Sequence, residues 1–342
     1  MAKKRSLLLD PQGYDDAWHK DLARLLIAEI KRVIFDPLIA ATDETDRADN
    51  AKKTPLEMAL RAGTVQFQRG AFRGDLNAAI SKEIKALGGR FYKGEWRLPS
   101  PLLTPALQKA VAANVSRAAK LAKLVSQALD SAPDAIRAMV KNLTVEDMGL
   151  QGLNRVSWRF KKDLNKAVSV YPDLGMEGKA ALKAGYEDTD TKPIRKKLLH
   201  EFEDRTKAVL EDFAYEEVVD LRKRLQPLIL GGRPRQEIRD EIGGRLKISA
   251  TRCRFIARQE TALLTVEFTK NQYLGAGIKK YKWITAKDHV VRTTPNGGHK
   301  ALDGEIYAWD AGPDARYFST GESCHPGEDY NCRCQARPIV EW

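Results

Sequence analysis

Ser249-Ala250-Thr251-Arg252-Cys253-Arg254-Phe255-Ile256-Ala257-Arg258-Gln259-Glu260-Thr261 and, after it, Lys280-Tyr281-Lys282-Trp283-Ile284-Thr285 mark the place where this chain changes texture. The first stretch predicts a helix over 250–274, capped by the Ser249 hydroxyl and closed by Gly275. In the second, aromatic and polar side chains alternate with the period of a half-buried strand. From Ala286 onward Gly, Pro, Asp, His and Cys accumulate and helical periodicity stops. The C-terminal region is therefore expected to be a small α+β domain rich in loops.

Towards the N-terminus the pattern is helical. Phe202, Val209, Phe213, Val218, Leu221 and Leu225 recur at three- and four-residue steps and predict a helix over 198–229 that ends at Gly231-Gly232. Pro234 then opens a short helix over 235–246, because proline is tolerated at the first helical position. An alanine-rich helix is expected over 102–129, and another over 18–35 that stops before Pro37. Leu76, Ile80, Ile84 and Leu87 predict a helix ending at Gly88-Gly89, and Arg90 to Pro99 a hairpin turning at Lys93-Gly94. Pro133, Gly149, Gly152 and Pro172 read as punctuation of a middle region, and residues 192–197 as a junction.

The expected fold class is predominantly α, with helical N-terminal and middle regions and the small α+β, loop-rich domain at the C-terminus. Along the chain we expect a helical region over 1–60, a basic helix–hairpin–helix segment over 61–130, a helical middle region or linker over 131–197, and the C-terminal domain over 198–342.

The net charge is +12 and it is unevenly spread. Residues 61–120 hold 11 basic and 3 acidic side chains, whereas residues 201–342 hold 23 and 22. Such a field favours a polyanion, with counterion release driving contact with double-stranded DNA. The plain alternative is that Lys and Arg solvate helix faces. Arg69, Arg73, Lys82, Lys85, Arg90, Lys93 and Arg97 are the candidate DNA contacts. Phe91, Tyr92 and Trp96 beside them either stack on bases or, as is more common, cover a small core under the hairpin. No apolar run approaches the roughly 18 residues needed to span a bilayer, and the first ten residues lack a signal-peptide core. A membrane is not an expected partner, and synthesis in a host cytoplasm is expected.

The order of motifs in the C-terminal region is specific. Phe255 to Thr261 is followed by Tyr281 to Asp288 and Val291-Arg292, then by His299-Lys300-Ala301-Leu302-Asp303-Gly304, and last by His325-Pro326-Gly327-Glu328-Asp329-Tyr330-Asn331-Cys332-Arg333-Cys334. This succession closely resembles the C-terminal domain of the phage Mu F and SPP1 minor head protein family, also called phage head morphogenesis proteins. That family runs as an Ile-Ala-Arg-Thr-Glu helix, a Trp-x-Thr-Ala-x-Asp strand and turn, Arg and His followed by Leu-Asp-Gly, and a closing Asn-Cys-Arg-Cys. Arg258, Glu260, Trp283, Asp288, Arg292, Asp303 and Gly304 occupy its motif positions, and Gln259 stands where Thr is usual.

The resemblance covers about residues 200–342. It implies a low-copy structural protein, not an enzyme, that joins the portal protein and other head proteins, capsid or scaffold, during assembly. It also implies a place in the virion, inside the capsid near the portal vertex, and a part in DNA packaging or ejection. Some members carry a toxin or nuclease after the Cys-Arg-Cys block, and none is expected in the eight residues beyond Cys334.

Cys324, Cys332 and Cys334 lie within eleven positions, with His299 and His325 nearby. Thiolates and imidazole suit a structural zinc ion, and such a staple suits loop-rich chain with few periodic apolar positions. His299, Cys332 and Cys334 form the core of that expectation, and Cys324 and His325 compete for the fourth position. Oxidised or simply packed cysteines are the alternative. Asp288, Arg292, His299 and Asp303 could imitate a hydrolytic site, which would make the protein a nuclease or other effector. Against that, Asp303-Gly304 is good turn chemistry and Asp288 can cap the residues after it, so no catalytic residue is assigned. A third reading is a non-specific DNA-binding protein that works without a portal.

Overall fold

The computed structural model describes residues 6–8, 16–44, 54–93, 95–99, 103–170, 192–287 and 290–341. Helix dominates them, as the periodicity predicts. Internal contacts divide the chain into two units, each gathered from separated stretches: residues 1–27, 142–210 and 251–342 in one, 28–141 and 211–250 in the other. Among the described residues no helix is long and apolar enough to cross a membrane.

The first helical run does not stop at Pro37. Helix α1 (Asp16–Ile30) passes through a wide turn at Lys31–Phe35 straight into α2 (Asp36–Glu44). In that turn the Asp36 N–H reaches back five residues to the Lys31 carbonyl. The ladder is already irregular where proline's missing N–H falls, so the helix carries on through it.

Three other expected breaks are absent. Helix α5 (Pro105–Asn142) runs through Pro133, and α6 (Glu146–Val170) contains both Gly149 and Gly152. These glycines serve close packing. A Cβ at Gly149 would lie 2.7 Å from Leu199, and one at Gly152 would lie 2.4 Å from the Trp18 ring. Pro172 lies outside the described residues. The expected junction at 192–197 is instead the opening of α7 (Lys192–Leu230).

The pair of helices expected over 235–246 and 250–274 is one helix of 41 residues, α8 (Arg235–Gly275). Ile238, Ile242, Ser249, Cys253, Ile256, Ala257, Glu260, Leu264 and Phe268 are all buried along it. That stripe passes unbroken through Gly243-Gly244 and Ser249, so tertiary packing overrides both local signals.

In the unit of residues 28–141 and 211–250, strands β2 (Val65–Gln68), β3 (Ala71–Gly74), β4 (Arg90–Tyr92) and β5 (Glu95–Arg97) form an antiparallel sheet in the order β2-β3-β5-β4. The hairpin expected over Arg90 to Pro99 is there, with Phe91 opposite Trp96 and Lys93 at φ 50°; Gly94 lies outside the described residues. Helices α3 (Pro55–Ala62) and α4 (Ala78–Ala86) start at the side-chain caps of Thr54 and Asn77. Leu56, Leu60, Val65, Phe72, Ile80, Ile84 and Leu107 form one hydrophobic cluster of this unit, beneath the sheet, and Trp96 packs against it.

In the other unit, β1 (Ser6–Leu8), β6 (Lys280–Ile284), β7 (Ile306–Ala308) and β8 (Gln335–Glu341) form a second antiparallel sheet, ordered β1-β8-β6-β7. Its core is aromatic: Phe160, Tyr273, Tyr281, Trp283, Trp309 and Phe318 are buried together with Cys332 and Cys334. Tyr281 and Trp309 stack with ring centroids 4.4 Å apart. The loop-rich chain is thus ordered around rings, of which Tyr281 and Trp283 alternate along β6 while Trp309 and Phe318 follow no helical or strand period.

Candidate metal centre

A short helix, α9 (Gly298–Ala301), carries His299 into the interior, and the chain from His325 to Cys334 returns beside it before entering β8. His299 Nδ1 lies 3.5 Å from Cys332 Sγ and 3.6 Å from Cys334 Sγ. All three residues are buried, and their donor atoms lie within 4.8 Å of one another. The other ring nitrogen, Nε2, is 2.8 Å from Oδ2 of Asp329, itself buried. Arg292 donates to that same carboxylate oxygen and to the Tyr330 carbonyl, and reaches Ser319 Oγ at 3.3 Å. Cys332 Sγ accepts from the Gly327 and Cys334 N–H groups at 3.3 and 3.4 Å. Trp283 and Phe318 stand edge-on to the imidazole, with centroids 5.6 and 5.5 Å away.

Burial works against a charged His299, but hydrogen bonds to Asp329 and Cys332 outweigh it and push its pKa up to about 9. Burial likewise opposes ionisation of Asp329, yet His299, the Tyr330 N–H and Arg292 hold that carboxyl below its ordinary value. Cys334 beside it, together with burial, pushes the Cys332 thiol well up. Cys334 is lowered by its bond to Cys332, against burial, so it is the first of the two to ionise.

The remaining candidates are placed elsewhere. Cys324 lies outside the trio, with Sγ near Thr320 Oγ1 (3.9 Å) and the Glu322 carbonyl (3.6 Å), and burial pushes its thiol up to about 11. His325 has both ring nitrogens engaged, Nε2 with the Lys270 ammonium at 3.2 Å and Nδ1 with Tyr281 Oη at 2.9 Å. Since the ammonium donates to Nε2, the proton sits on Nδ1 and is given to tyrosine. Asp303 accepts from the Thr285 N–H at 2.8 Å, and Gly304 comes next at φ 89° with its N–H on the Trp283 carbonyl. The carboxylate beside His299 is therefore Asp329 and not Asp303. Asp288 lies outside the described residues.

On α8, Arg258 reaches Asn331 Oδ1 at 3.4 Å, while Glu260 is buried and bonded to Arg205 at 3.1 Å. Gln259 donates to the Glu328 carbonyl (3.2 Å) and accepts from the Asn331 N–H (2.7 Å). It pins the loop that carries Asp329 to the helix. Sequence reasoning gives Asp329 and Arg205 no role and marks Gln259 only as a departure from the family pattern. A carboxylate inside a His- and Cys-rich run is the available signal for the first. For Arg205 no local pattern exists.

The basic side chains Arg69, Arg73, Lys82, Lys85, Arg90, Lys93 and Arg97 are all exposed. Arg73 and Arg97 are both paired with Glu95, at 2.7 and 3.3 Å. Phe91 and Tyr92 are 62% and 57% exposed, and the Lys93 ammonium sits 5.4 Å from the Tyr92 ring centre.

The family described as Phage Mu protein F like protein matches residues 219–337. Over those residues the chain is similar to that family. The Mu F-like segment holds all of α8 and the whole trio of His299, Cys332 and Cys334, with Asp329, Arg292 and Gln259. The seven basic candidates lie outside it. An uncharacterized protein of Haemophilus influenzae is 35% identical over 95 residues, which cover 28% of this chain and 19% of that protein. The match thus spans about a fifth of the curated relative. No solved structure matches the chain.

Proposed function

We propose that the protein is a structural minor head protein of a tailed bacteriophage. In this reading it joins the portal and other head proteins, capsid or scaffold, near the portal vertex inside the virion, and takes part in head assembly and DNA packaging or ejection. The observation that carries it is the match of residues 219–337 to the Phage Mu protein F like family. The placement of the motif residues supports a structural role over a hydrolytic one. Trp283 is core, Asp303 closes a turn, and the half-buried Arg292 closes a mutually satisfied network with the buried Asp329 and His299.

Double-stranded DNA is the second partner in this reading, contacted without sequence preference through the surface cations of residues 69–97. Among the described residues Arg69, Lys82, Lys85, Arg90 and Lys93 form no ion pair, so they are available to phosphates. Co-expression with the cognate portal protein, followed by size-exclusion chromatography, tests the assembly role. Co-elution with the portal ring is expected. Persistent separate elution, at protein concentrations where the portal ring is intact, contradicts it.

A further inference from the structure

We propose that His299 Nδ1, Cys332 Sγ and Cys334 Sγ bind one zinc ion, that Asp329 orients the histidine for it, and that the fourth coordination position opens on an adjoining cavity. A tetrahedral zinc ion with bonds of about 2.3 Å to sulfur and about 2.0–2.1 Å to nitrogen places those donors about 3.6 Å apart. The two nitrogen–sulfur separations here are 3.5 and 3.6 Å. The histidine turns one nitrogen to both sulfurs and the other to a carboxylate, which is the arrangement that fixes tautomer and ring orientation in metal-bound histidines. With Nε2–H donated to Asp329, the Nδ1 lone pair points at the sulfurs. Arg292 holds that carboxylate from behind.

Packing alone does not account for this arrangement. Two buried cysteines can serve as small apolar groups, but an apolar role gives no reason to bury a histidine between them and back it with a carboxylate and an arginine. Neither cysteine is in a disulfide. Two thiolates and an imidazole suit a borderline-soft ion and not the hard, oxygen-seeking calcium or magnesium. Among the described residues no further His, Cys, Asp or Glu joins the trio. A cavity of about 130 Å³, lined by Val290, Val291, Arg292 and Asn331 as well as the trio, adjoins it and leaves room for a water ligand. Binding forms two zinc–sulfur bonds and one zinc–nitrogen bond, releases the two thiol protons and any proton on Nδ1 to solvent, and changes no oxidation state. This inference stands whether or not the chain acts in a phage head.

The test uses the full chain, stripped of metal by a chelator under reducing conditions and then titrated with Zn2+ alone and with Co2+ alone. Elemental analysis should give one zinc per chain, thermal stability should rise on loading, and cobalt should show thiolate-to-metal charge transfer. Cys332→Ser, Cys334→Ser and His299→Ala should each lose binding. Asp329→Asn should weaken it by about 10- to 100-fold while keeping the thiolate band. Cys324→Ser should bind as the parent does. A folded wild-type chain that takes up neither ion at micromolar concentrations overturns the proposal, and that measurement needs no variant to fold. So does a cobalt band that survives both Cys332→Ser and Cys334→Ser, or one that disappears in Cys324→Ser.

Discussion

Arg205 meets two carboxylates with one guanidinium, Glu260 at 3.1 Å and Glu267 at 3.3 Å. Burial raises the pKa of both acids despite the arginine. A carboxyl raised in the folded state holds its proton more tightly there than when unfolded. Its stabilising contribution is then full below the unfolded value of about 4.3 and is lost as pH climbs through the folded value. Glu260→Gln keeps an acceptor for Arg205 and removes the buried charge. It should change stability by less than about 1 kcal/mol at pH 7 and flatten the fall in stability above about pH 4.5. Arg205→Ala leaves two acids without their cation and should cost about 3–5 kcal/mol. Urea denaturation at pH 5 and pH 7 measures both; an Arg205→Ala chain as stable as the parent contradicts this assignment. At this scale the sequence is half legible. Arg258 and Glu260, two apart on a helix, face different ways, as helix geometry requires. Their partners Asn331 and Arg205 lie 73 and 55 residues off, and no spacing rule reaches that far.

The helices show where local signals are trustworthy and where packing overrules them. Glycine reads as a break at 149 and 152, and Gly243-Gly244 lies just before the end expected for the 235–246 helix, yet all four lie inside helices. The surroundings decide what each does. At Gly243 and Gly244 an added Cβ meets nothing within 4 Å. Alanine there should stabilise by about 0.5–1 kcal/mol per site through helix propensity. At Gly152 the Cβ would press to 2.4 Å on the buried Trp18 ring. Overpacking of about 1–3 kcal/mol should exceed the propensity gain, so Gly152→Ala should destabilise. Thermal melts of Gly243→Ala and Gly152→Ala should move in opposite directions; a rise in both would show that the Trp18 ring yields to the added methyl. Long apolar periodicities and the Lys93-Gly94 hairpin are legible because they are local. The β2–β3 hairpin has a weaker signal, the alternation at Val65 to Gln68 before Arg69-Gly70, too short to stand out from the helices around it. Trp309 and Phe318 sit in irregular chain, so the aromatic core they build has no period to betray it.

Across the whole molecule, charge and family resemblance are readable but tertiary assembly is not. A unit gathered from residues 1–27, 142–210 and 251–342 cannot be divined from composition along the chain. The basic segment yields a quantitative expectation. Five cations outside ion pairs, each neutralising one phosphate, give a slope of log K against log salt of about −4.5. Replacing Arg69, Arg90 and Lys93 by glutamine should shrink its magnitude by about 2.7, and an unchanged slope would place the DNA contact elsewhere. Head membership is the central claim. Quantitative mass spectrometry of purified procapsids and virions of the phage that encodes this chain tests it most directly. The chain should be found in these particles at low copy relative to the major capsid protein, whereas its absence from both would contradict the assignment.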